Sequence, residues 1–258
     1  MLLAVDVGNT EIVLGVFRGQ ELAEHWRVSS RADRTADELA HLFGGLLEHA
    51  DLSFSREVTG VVISSVVPSS TQALREMTER YFGFEPVVVE PGTRTGMAIL
   101  IDNPREVGAD RIVNSLAAFS RYGGPCIVVD FGTATNFDVV SAKGEYVGGA
   151  IAPGIDISLE ALGRRGAQLR KVELLRPRTV IAKNTVEALQ SGVLYGFASQ
   201  VDGIVGRMLA ELRLEPGQAN VIATGGLAHV VVEECASFTA HEPWLTLLGL
   251  EIVFHRNT

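Results

Sequence analysis

The chain has 258 residues, of which 47% are hydrophobic, enough apolar side chains for well-formed cores in one large domain or two smaller ones. Its formal net charge is −9 with lysines and arginines scattered along it, which argues against a protein that binds nucleic acid through a basic face. No segment reaches the roughly 18 apolar residues of a membrane-spanning helix, and the N-terminus lacks the basic start of a secretory signal, so we expect a cytoplasmic protein without a membrane partner.

In the first half of the chain, apolar periodicity predicts three strands, a helix, a buried strand, a second helix and a short strand. The predicted ranges are 2–7, 11–18, 21–29, 35–50, 58–67, 68–81 and 86–90. A further helix is predicted from about 110 to 121. Strand–strand–strand–helix–strand–helix–strand is the order of a ribonuclease-H-like fold.

The second half repeats this order, with strands at 127–130, 136–141 and 145–151 and a helix at 153–162. A long helix at 184–212 and strands at 219–224 and 250–254 complete it. One apolar stripe is expected along the long helix: Val186, Leu189, Val193, Phe197, Val201, Ile204, Met208 and Leu212. Its cluster of glycines (Gly192, Gly196, Gly203 and Gly206) predicts close packing, either within the chain or against another subunit.

A short motif occurs twice, nearly half the chain apart. Asp6-Val7-Gly8-Asn9-Thr10 ends one apolar strand, and Asp130-Phe131-Gly132-Thr133-Ala134 ends another. We therefore predict an α/β protein of two duplicated ribonuclease-H-like (actin-like ATPase) domains, 1–121 and 122–258, with a nucleotide cleft between them. Glycine turns admit phosphate oxygens to backbone N–H groups, and a carboxylate at each strand end suits a hydrated cation. Each motif alone would also suit an ordinary hairpin turn.

Three further segments carry polar residues at predicted helix starts. Asp110 falls in the first turn of its helix, where it would either complement the helix dipole or act as a carboxylate base beside Arg111. Asn184 and Glu187 have the spacing of a helix cap, so a binding role for Thr185 is the alternative explanation. Gly225 and the glycine after it follow a strand and would allow the close approach of a flat ring or an anion.

Several classes of site are not indicated. The six histidines lack metal-binding spacing, and the sequence has neither a Gly-x-Ser-x-Gly elbow nor a Walker P-loop. Cys126 and Cys235 have no Cys-x-x-Cys spacing, and we expect both to be small buried hydrophobic residues.

Taken together, these segments resemble the type III pantothenate kinases, within the superfamily of acetate kinase, sugar kinases and actin. The resemblance spans nearly the whole chain in the same order. Beyond the two aspartate motifs it is carried by Asp102-Asn103-Pro104, Gly108-Ala109-Asp110-Arg111, Gly148-Gly149-Ala150-Ile151-Ala152-Pro153-Gly154, Lys183-Asn184-Thr185-Val186-Glu187-Ala188, Gln190-Ser191-Gly192 and Thr224-Gly225-Gly226-Leu227.

The resemblance implies a kinase that phosphorylates pantothenate to 4′-phosphopantothenate, the first step of coenzyme A biosynthesis, using ATP with Mg²⁺ and a monovalent cation (K⁺ or NH₄⁺). It implies a homodimer, with Asp110 as the base and Asp130 as the ligand of the monovalent cation. The residues it assigns to ATP are Asp6, Val7, Gly8, Asn9, Thr10, Glu11, Ile12, Val13 and Thr133. Those it assigns to pantothenate are Gly108, Ala109, Asp110, Arg111 and Thr185.

The chain departs from the family pattern at three places. Ile101 replaces a tyrosine that usually contacts the substrate, Asn136 replaces a threonine, and Leu169-Arg170 replaces a Leu-Pro step. Ile101 cannot supply a hydroxyl, so the acceptor is where this chain would differ from its family. The alternatives are a kinase or phosphatase of the same superfamily that acts on another small molecule, and a non-catalytic accessory regulator.

Overall fold

The computed structural model describes residues 1–165 and 172–258, so the predicted Leu169-Arg170 departure lies outside the described residues. The chain forms two compact units. The first comprises Met1–Met97, Asp102–Ala117 and Leu245–Thr258, and the second comprises Ala98–Ile101 and Ala118–Trp244.

The first unit is built on a five-stranded sheet in the order β3-β2-β1-β4-β5. Its strands are β1 (Leu2–Val7), β2 (Glu11–Arg18), β3 (Glu21–Ser29), β4 (Gly60–Ser65) and β5 (Val87–Val88). The first three strands are antiparallel neighbours, and β4 lies parallel to β1 on its other side. β1 and β4 are buried on both faces, as their continuous apolar sequences predict.

Helices α1 (Ala36–His49), α2 (Phe54–Glu57) and α3 (Pro68–Phe82) accompany this sheet. An apolar core joins the buried residues of α1 and α3 to alternate residues of β1, β2 and β4, and the partly buried Phe54 of α2 packs against it. α1 begins at a capping box, in which the Glu38 amide donates to Thr35 Oγ1 (3.3 Å) and the Thr35 amide donates to Glu38 Oε2 (2.8 Å). α3 begins at Pro68, whose fixed φ suits a first helical position.

The second unit repeats this topology in a sheet of order β10-β9-β6-β7-β8. Its strands are β6 (Cys126–Phe131), β7 (Ala134–Val140), β8 (Tyr146–Pro153), β9 (Asn220–Thr224) and β10 (Ala240–His241). β6, β7 and β8 are antiparallel neighbours, and β9 is parallel to β6, as β4 is to β1. The predicted duplication of a ribonuclease-H-like fold is therefore confirmed.

The remaining helices are α4 (Ala109–Tyr122), which runs from the first unit into the second, α5 (Ile155–Arg165), α6 (Thr185–Leu212), α7 (Ala228–Val231) and α8 (Leu245–Asn257). Short 3-10 helices occupy Pro104–Glu106 and Val232–Glu234. The predicted strands and helices up to residue 224 are confirmed within a few residues at each end. The two-residue strand β10 was not predicted.

The prediction of a strand at 250–254 is wrong, because this segment lies within α8. α8 is apolar nearly all round, so its sequence has no amphipathic period and its β-branched residues suggest a strand. It packs on the face of the first sheet opposite α1 and α3, with Phe254 against Gly60 and Leu247 against Gly15. The compact units therefore differ from the predicted division into 1–121 and 122–258, since residues 245–258 belong with the first unit.

The face that α6 buries is close to the predicted stripe. Val201 is buried, and five further stripe residues are partly buried against the core of the second unit: Val193, Phe197, Ile204, Met208 and Leu212. The other buried apolar residues, Leu194, Ala198, Val205 and Leu209, each lie one residue beyond a stripe position, while Val186 is 51% exposed. A Cβ placed on any of the four glycines of α6 would have no heavy atom within 4 Å in the described part of the chain. The prediction of close packing within the chain at these glycines is therefore wrong.

Candidate active site

The hairpin between β1 and β2 holds most of the segment expected to bind ATP. The Gly8 amide donates to the Glu11 carbonyl (2.9 Å), and the Ser30 amide donates to the Thr10 carbonyl (2.9 Å), which fixes the turn against the end of β3. Asn9, Thr10 and Glu11 are exposed at the tip, and Asp6 is half-buried below it. The side chains of Val7 and Ile12 lie in the apolar core, so from these two residues only the backbone is available to a ligand.

Asp110 lies half-buried in the first turn of α4. Its Oδ1 accepts a hydrogen bond from the Arg111 amide (2.9 Å), as expected of a carboxylate that complements the dipole at the start of a helix. Burial nevertheless raises the pKa of the Asp110 carboxyl above its usual value, although the amide and charge of Arg111 pull the other way. Gly108 approaches so closely that a Cβ there would collide with Asp110 Oδ1. The carboxyl is thus oriented by the Arg111 amide, accommodated by Gly108 and made more basic by burial, which are properties that suit a general base.

Within the first unit, α8 brings α4 and the tip of β1 to the same end. Phe254 packs against Gly60, in register with Leu2 at the start of β1, whereas Leu247 packs against Gly15, in register with Ala4. α8 therefore runs opposite to β1, and its first turn lies toward Asp6.

In that first turn of α8, Thr246 Oγ1 donates to Asn114 Oδ1 (2.7 Å), and Asn114 is buried one helical turn after Asp110. The predicted base and the first of the repeated aspartates are consequently found at one end of this unit. Asp110 is half-buried; a position on the outer surface would have excluded it from the site.

Asp130 occupies the same position in the second unit as Asp6 does in the first, as the penultimate residue of its strand. A Cβ on Gly225 would collide with Asp130 Oδ1, and the φ of Gly225 is +93°. A Cβ on Gly154 would collide with the carbonyl oxygen of Thr133 and lie 2.7 Å from that of Gly132. Asp130 Oδ1 and the carbonyl oxygens of Gly132 and Thr133 thus each lie close to a glycine near the end of β6, and carboxylate and carbonyl oxygens are ligands that suit a cation preferring oxygen.

Gly225 has a different role from the one expected. The helix that follows it, α7, is only four residues long, and the close approach that Gly225 allows is to the Asp130 carboxylate. The sequence pattern suggested a flat ring or an anion at this place. In the structure, the glycine makes room for a side chain of the protein itself.

Thr185 is the exposed first residue of α6. The helix cap predicted beside it is confirmed: Asn184 Oδ1 accepts from the Glu187 amide (2.9 Å), and Asn184 Nδ2 donates to Glu187 Oε2 (2.9 Å). The cap is formed by the side chains of Asn184 and Glu187, and the Thr185 side chain between them is exposed at the surface.

Ile101, at the position of the family's tyrosine, lies in a segment of the second unit that pairs with β8. The Leu100 amide donates to the Tyr146 carbonyl (2.8 Å), and the Tyr146 amide donates to the Ala98 carbonyl (2.8 Å). Ile101 Cγ2 would lie 3.8 Å from a Cβ on Gly148. The sequence does not predict this pairing, because the segment meets β8 at an isolated bridge, Ile99 with Tyr146, which is too short to show the alternation of a strand.

Other functional classes find little support. Both cysteines are free; Cys126 is buried as expected, whereas Cys235 is only half-buried. Burial raises the pKa of the Cys126 thiol to about 11 and that of Cys235 to about 12, which is typical of unreactive thiols. Among the described residues there is no cluster of three or more His, Cys, Asp or Glu side chains that could hold a metal ion. None of the described helices is long and apolar enough to cross a membrane.

Comparison with known proteins identifies the family. Residues 2–207 match the profile of the type III pantothenate kinases. A type III pantothenate kinase from Streptomyces griseus is 60% identical over 261 aligned residues, covering 100% of this chain and 98% of its own length. One from Thermobifida fusca is 59% identical over 259 residues, covering 100% of both chains.

Solved structures agree at the level of the fold. A Campylobacter jejuni protein described as a Baf family transcriptional activator has a TM-score of 0.62 at 18% identity, covering 99% of this chain and 98% of its own. A polyphosphate/ATP-glucomannokinase from Arthrobacter has a TM-score of 0.51 at 16% identity, covering 100% and 99%. With the family profile matched over residues 2–207 and relatives about 60% identical over their full length, the chain belongs to the type III pantothenate kinase family.

Proposed function

We propose that this chain transfers the γ-phosphoryl group of ATP to the primary hydroxyl of pantothenate and forms 4′-phosphopantothenate, the first step of coenzyme A biosynthesis. The observation that carries the mechanism is the half-buried Asp110, whose raised pKa and orientation by the Arg111 amide suit a proton acceptor. The family relationship supports the choice of acceptor and donor.

Asp110 accepts the proton of the pantothenate hydroxyl as the oxygen attacks phosphorus. Phosphoryl transfer has a loose transition state, so positioning and stabilisation of charge matter more than the strength of the base. The Arg111 amide orients the Asp110 carboxylate for this step, and Gly108 leaves the space that the carboxylate occupies. Gly108–Arg111, with the exposed Thr185 hydroxyl, are the proposed contacts of pantothenate.

Asp6–Val13 and Thr133 are the proposed contacts of ATP. The turn at Gly8–Thr10 presents backbone groups and small polar side chains to the phosphates, while Asp6 lies where a carboxylate can hold a hydrated divalent ion. That ion, Mg²⁺ in the proposed complex, neutralises charge on the phosphate oxygens when it is bound.

Asp130 is the proposed ligand of a monovalent cation, K⁺ or NH₄⁺. The fit is supported by Gly225 and Gly154, which bring the Asp130 carboxylate and the carbonyls of Gly132 and Thr133 into space that a Cβ would fill. Oxygen ligands of this type replace the hydration shell of a large monovalent ion.

The protein is also proposed to be a cytoplasmic homodimer that binds neither nucleic acid nor membranes. The open glycine face of α6 supports the dimer, since each of the four glycines lowers helix stability by about 1 kcal/mol relative to alanine, a cost that close packing of a second subunit would offset. The net charge of −9 supports the absence of a nucleic-acid partner.

A coupled assay of ADP release tests the proposed function, with pantothenate present or absent and K⁺ varied. We expect turnover that requires pantothenate and K⁺, and we expect Asp130→Ala to lose the response to K⁺ while keeping its fold by circular dichroism. Turnover of ATP without a need for pantothenate would favour another kinase or a phosphatase of the superfamily, consistent with Ile101. Absence of all turnover would favour a regulator, and an unchanged response to K⁺ in Asp130→Ala would reject the cation site.

A further inference from the structure

Ser64, near the end of β4, has a buried hydroxyl with no role in the site described above. Its side chain is fully buried, and its Oγ has no hydrogen-bond partner among the described residues. Its neighbour Ser65 differs, because Ser65 Oγ donates to the Val67 carbonyl (3.0 Å) and accepts from the Val67 amide (3.1 Å). Ser65 is thus explained by the turn after β4, whereas the Ser64 hydroxyl is not explained by the folded chain itself.

The register of the sheet places Ser64 directly beside Asp6. β1 and β4 are parallel, and Asp6 is the Cα partner of Ser64. Partners in register project to the same face of a sheet, here the face on which Gly60 and Gly15 contact α8. Adjacent strands lie about 4.8 Å apart, a separation that a serine rotamer or one ordered water can bridge to a carboxylate.

The internal duplication supplies an independent observation. In the second unit, Asp130 is paired in the same way on β6, and its Cα partner on the parallel strand β9 is Thr224. A hydroxyl residue therefore stands beside the repeated aspartate in both units. Packing alone does not require this, because alanine or valine would fill such a strand position without burying a polar atom.

We propose that Ser64 is a positioning residue: its hydroxyl donates to the Asp6 carboxylate, directly or through one water, when Mg-nucleotide is bound. This proposal rests on the proposed function of Asp6. A carboxylate can accept about four hydrogen bonds, so a bond from Ser64 adds to the other interactions of Asp6. One carboxylate oxygen is then held by the protein and the other stays directed toward the hydrated cation.

The first test is thermal unfolding of the wild type, Ser64→Ala and Ser64→Thr, with Ser115→Ala as the matched control. Ser115 is also fully buried with an unpartnered Oγ, but it lies on α4. We expect both alanine variants to melt no lower than the wild type without ligand, because each loses an uncompensated buried hydroxyl. A Mg-ATP analogue that is not hydrolysed should raise the Tm of the wild type and Ser115→Ala equally, and that of Ser64→Ala by less, corresponding to about ten-fold weaker binding.

The second test is a double-mutant cycle with Asp6→Asn, read as kcat and as the Mg²⁺ concentration for half-maximal rate. Ser64→Ala should lower kcat about ten-fold or more and raise the Mg²⁺ requirement, Ser64→Thr should restore both, and Ser64→Ala should add little to Asp6→Asn. If the wild type responds to the Mg-nucleotide and Ser64→Ala responds identically, the Ser64 assignment is wrong and the proposed function stands. If the wild type does not respond at all, the nucleotide site itself is wrong and the Ser64 assignment falls with it.

Discussion

Asp110→Asn separates the role of Asp110 in catalysis from its role in the fold. Asparagine has nearly the same shape and keeps an oxygen that can accept from the Arg111 amide, so the first turn of α4 should be preserved. What is lost is the ability to accept a proton, which is worth roughly 10²–10⁴-fold in rate for a general base. We expect a fall of that size in kcat, with little change in the binding of ATP.

The effect on stability has the opposite sign. Because burial raises the pKa of Asp110 above its ordinary value of 3.8, the folded state binds the proton more tightly than the unfolded state. Ionisation of Asp110 therefore destabilises the wild type as the pH rises from about 4 through the folded pKa. Relative to the wild type, Asp110→Asn should gain unfolding free energy over that window and keep the gain at pH 7.

Urea unfolding at pH 3.5 and pH 7, together with the coupled assay, measures both effects. A variant that loses activity but is much less stable at pH 7 would show that Asp110 supports the helix rather than the reaction. Near-native turnover in the folded variant would remove Asp110 as the base.

Two further predictions concern glycines. Gly225→Ala should lower the unfolding free energy by about 2–4 kcal/mol and weaken the K⁺ response, since the new Cβ collides with the Asp130 carboxylate at a residue of positive φ. Gly217→Ala is the control for backbone strain alone, because Gly217 has a φ of +87° and a Cβ there would meet no atom within 4 Å. Equal losses of stability of the two variants in urea would contradict the contact with Asp130. The Gly196→Leu variant should keep the helix content of the wild type, but its molar mass measured by light scattering should fall from that of a dimer to that of a monomer. Gly45→Leu on α1, where a Cβ would also have open space, should leave the molar mass unchanged. An unchanged mass for Gly196→Leu would place any dimer contact elsewhere.

Local pattern was sufficient for most of the sheet strands and for the paired aspartates. An apolar run ending in Asp-x-Gly predicts a buried strand followed by a turn, because the apolar run favours a buried strand and the glycine favours a turn. Asp6 and Asp130 accordingly lie at equivalent strand ends. The basicity of Asp110 was not predictable in the same way, since burial by residues distant in sequence raises its pKa.

Residues 250–254 show why local pattern fails when a segment is buried on many sides. α8 packs against three strands of the first sheet, so it needs apolar residues around most of its circumference and shows no helical period. α6 differs, because one of its faces is exposed and most of the expected stripe packs against the core of the second unit.

The amino-acid sequence alone was enough to predict the order of most strands and helices, the duplication, and the two aspartates at equivalent strand ends. Only the tertiary structure decided that the C-terminal helix returns to the first unit, that Gly225 serves the Asp130 carboxylate, and that Ser64 stands beside Asp6. The reason is that turns and strands depend on interactions between near neighbours, whereas burial, register and close approach depend on residues that meet only after the chain has folded.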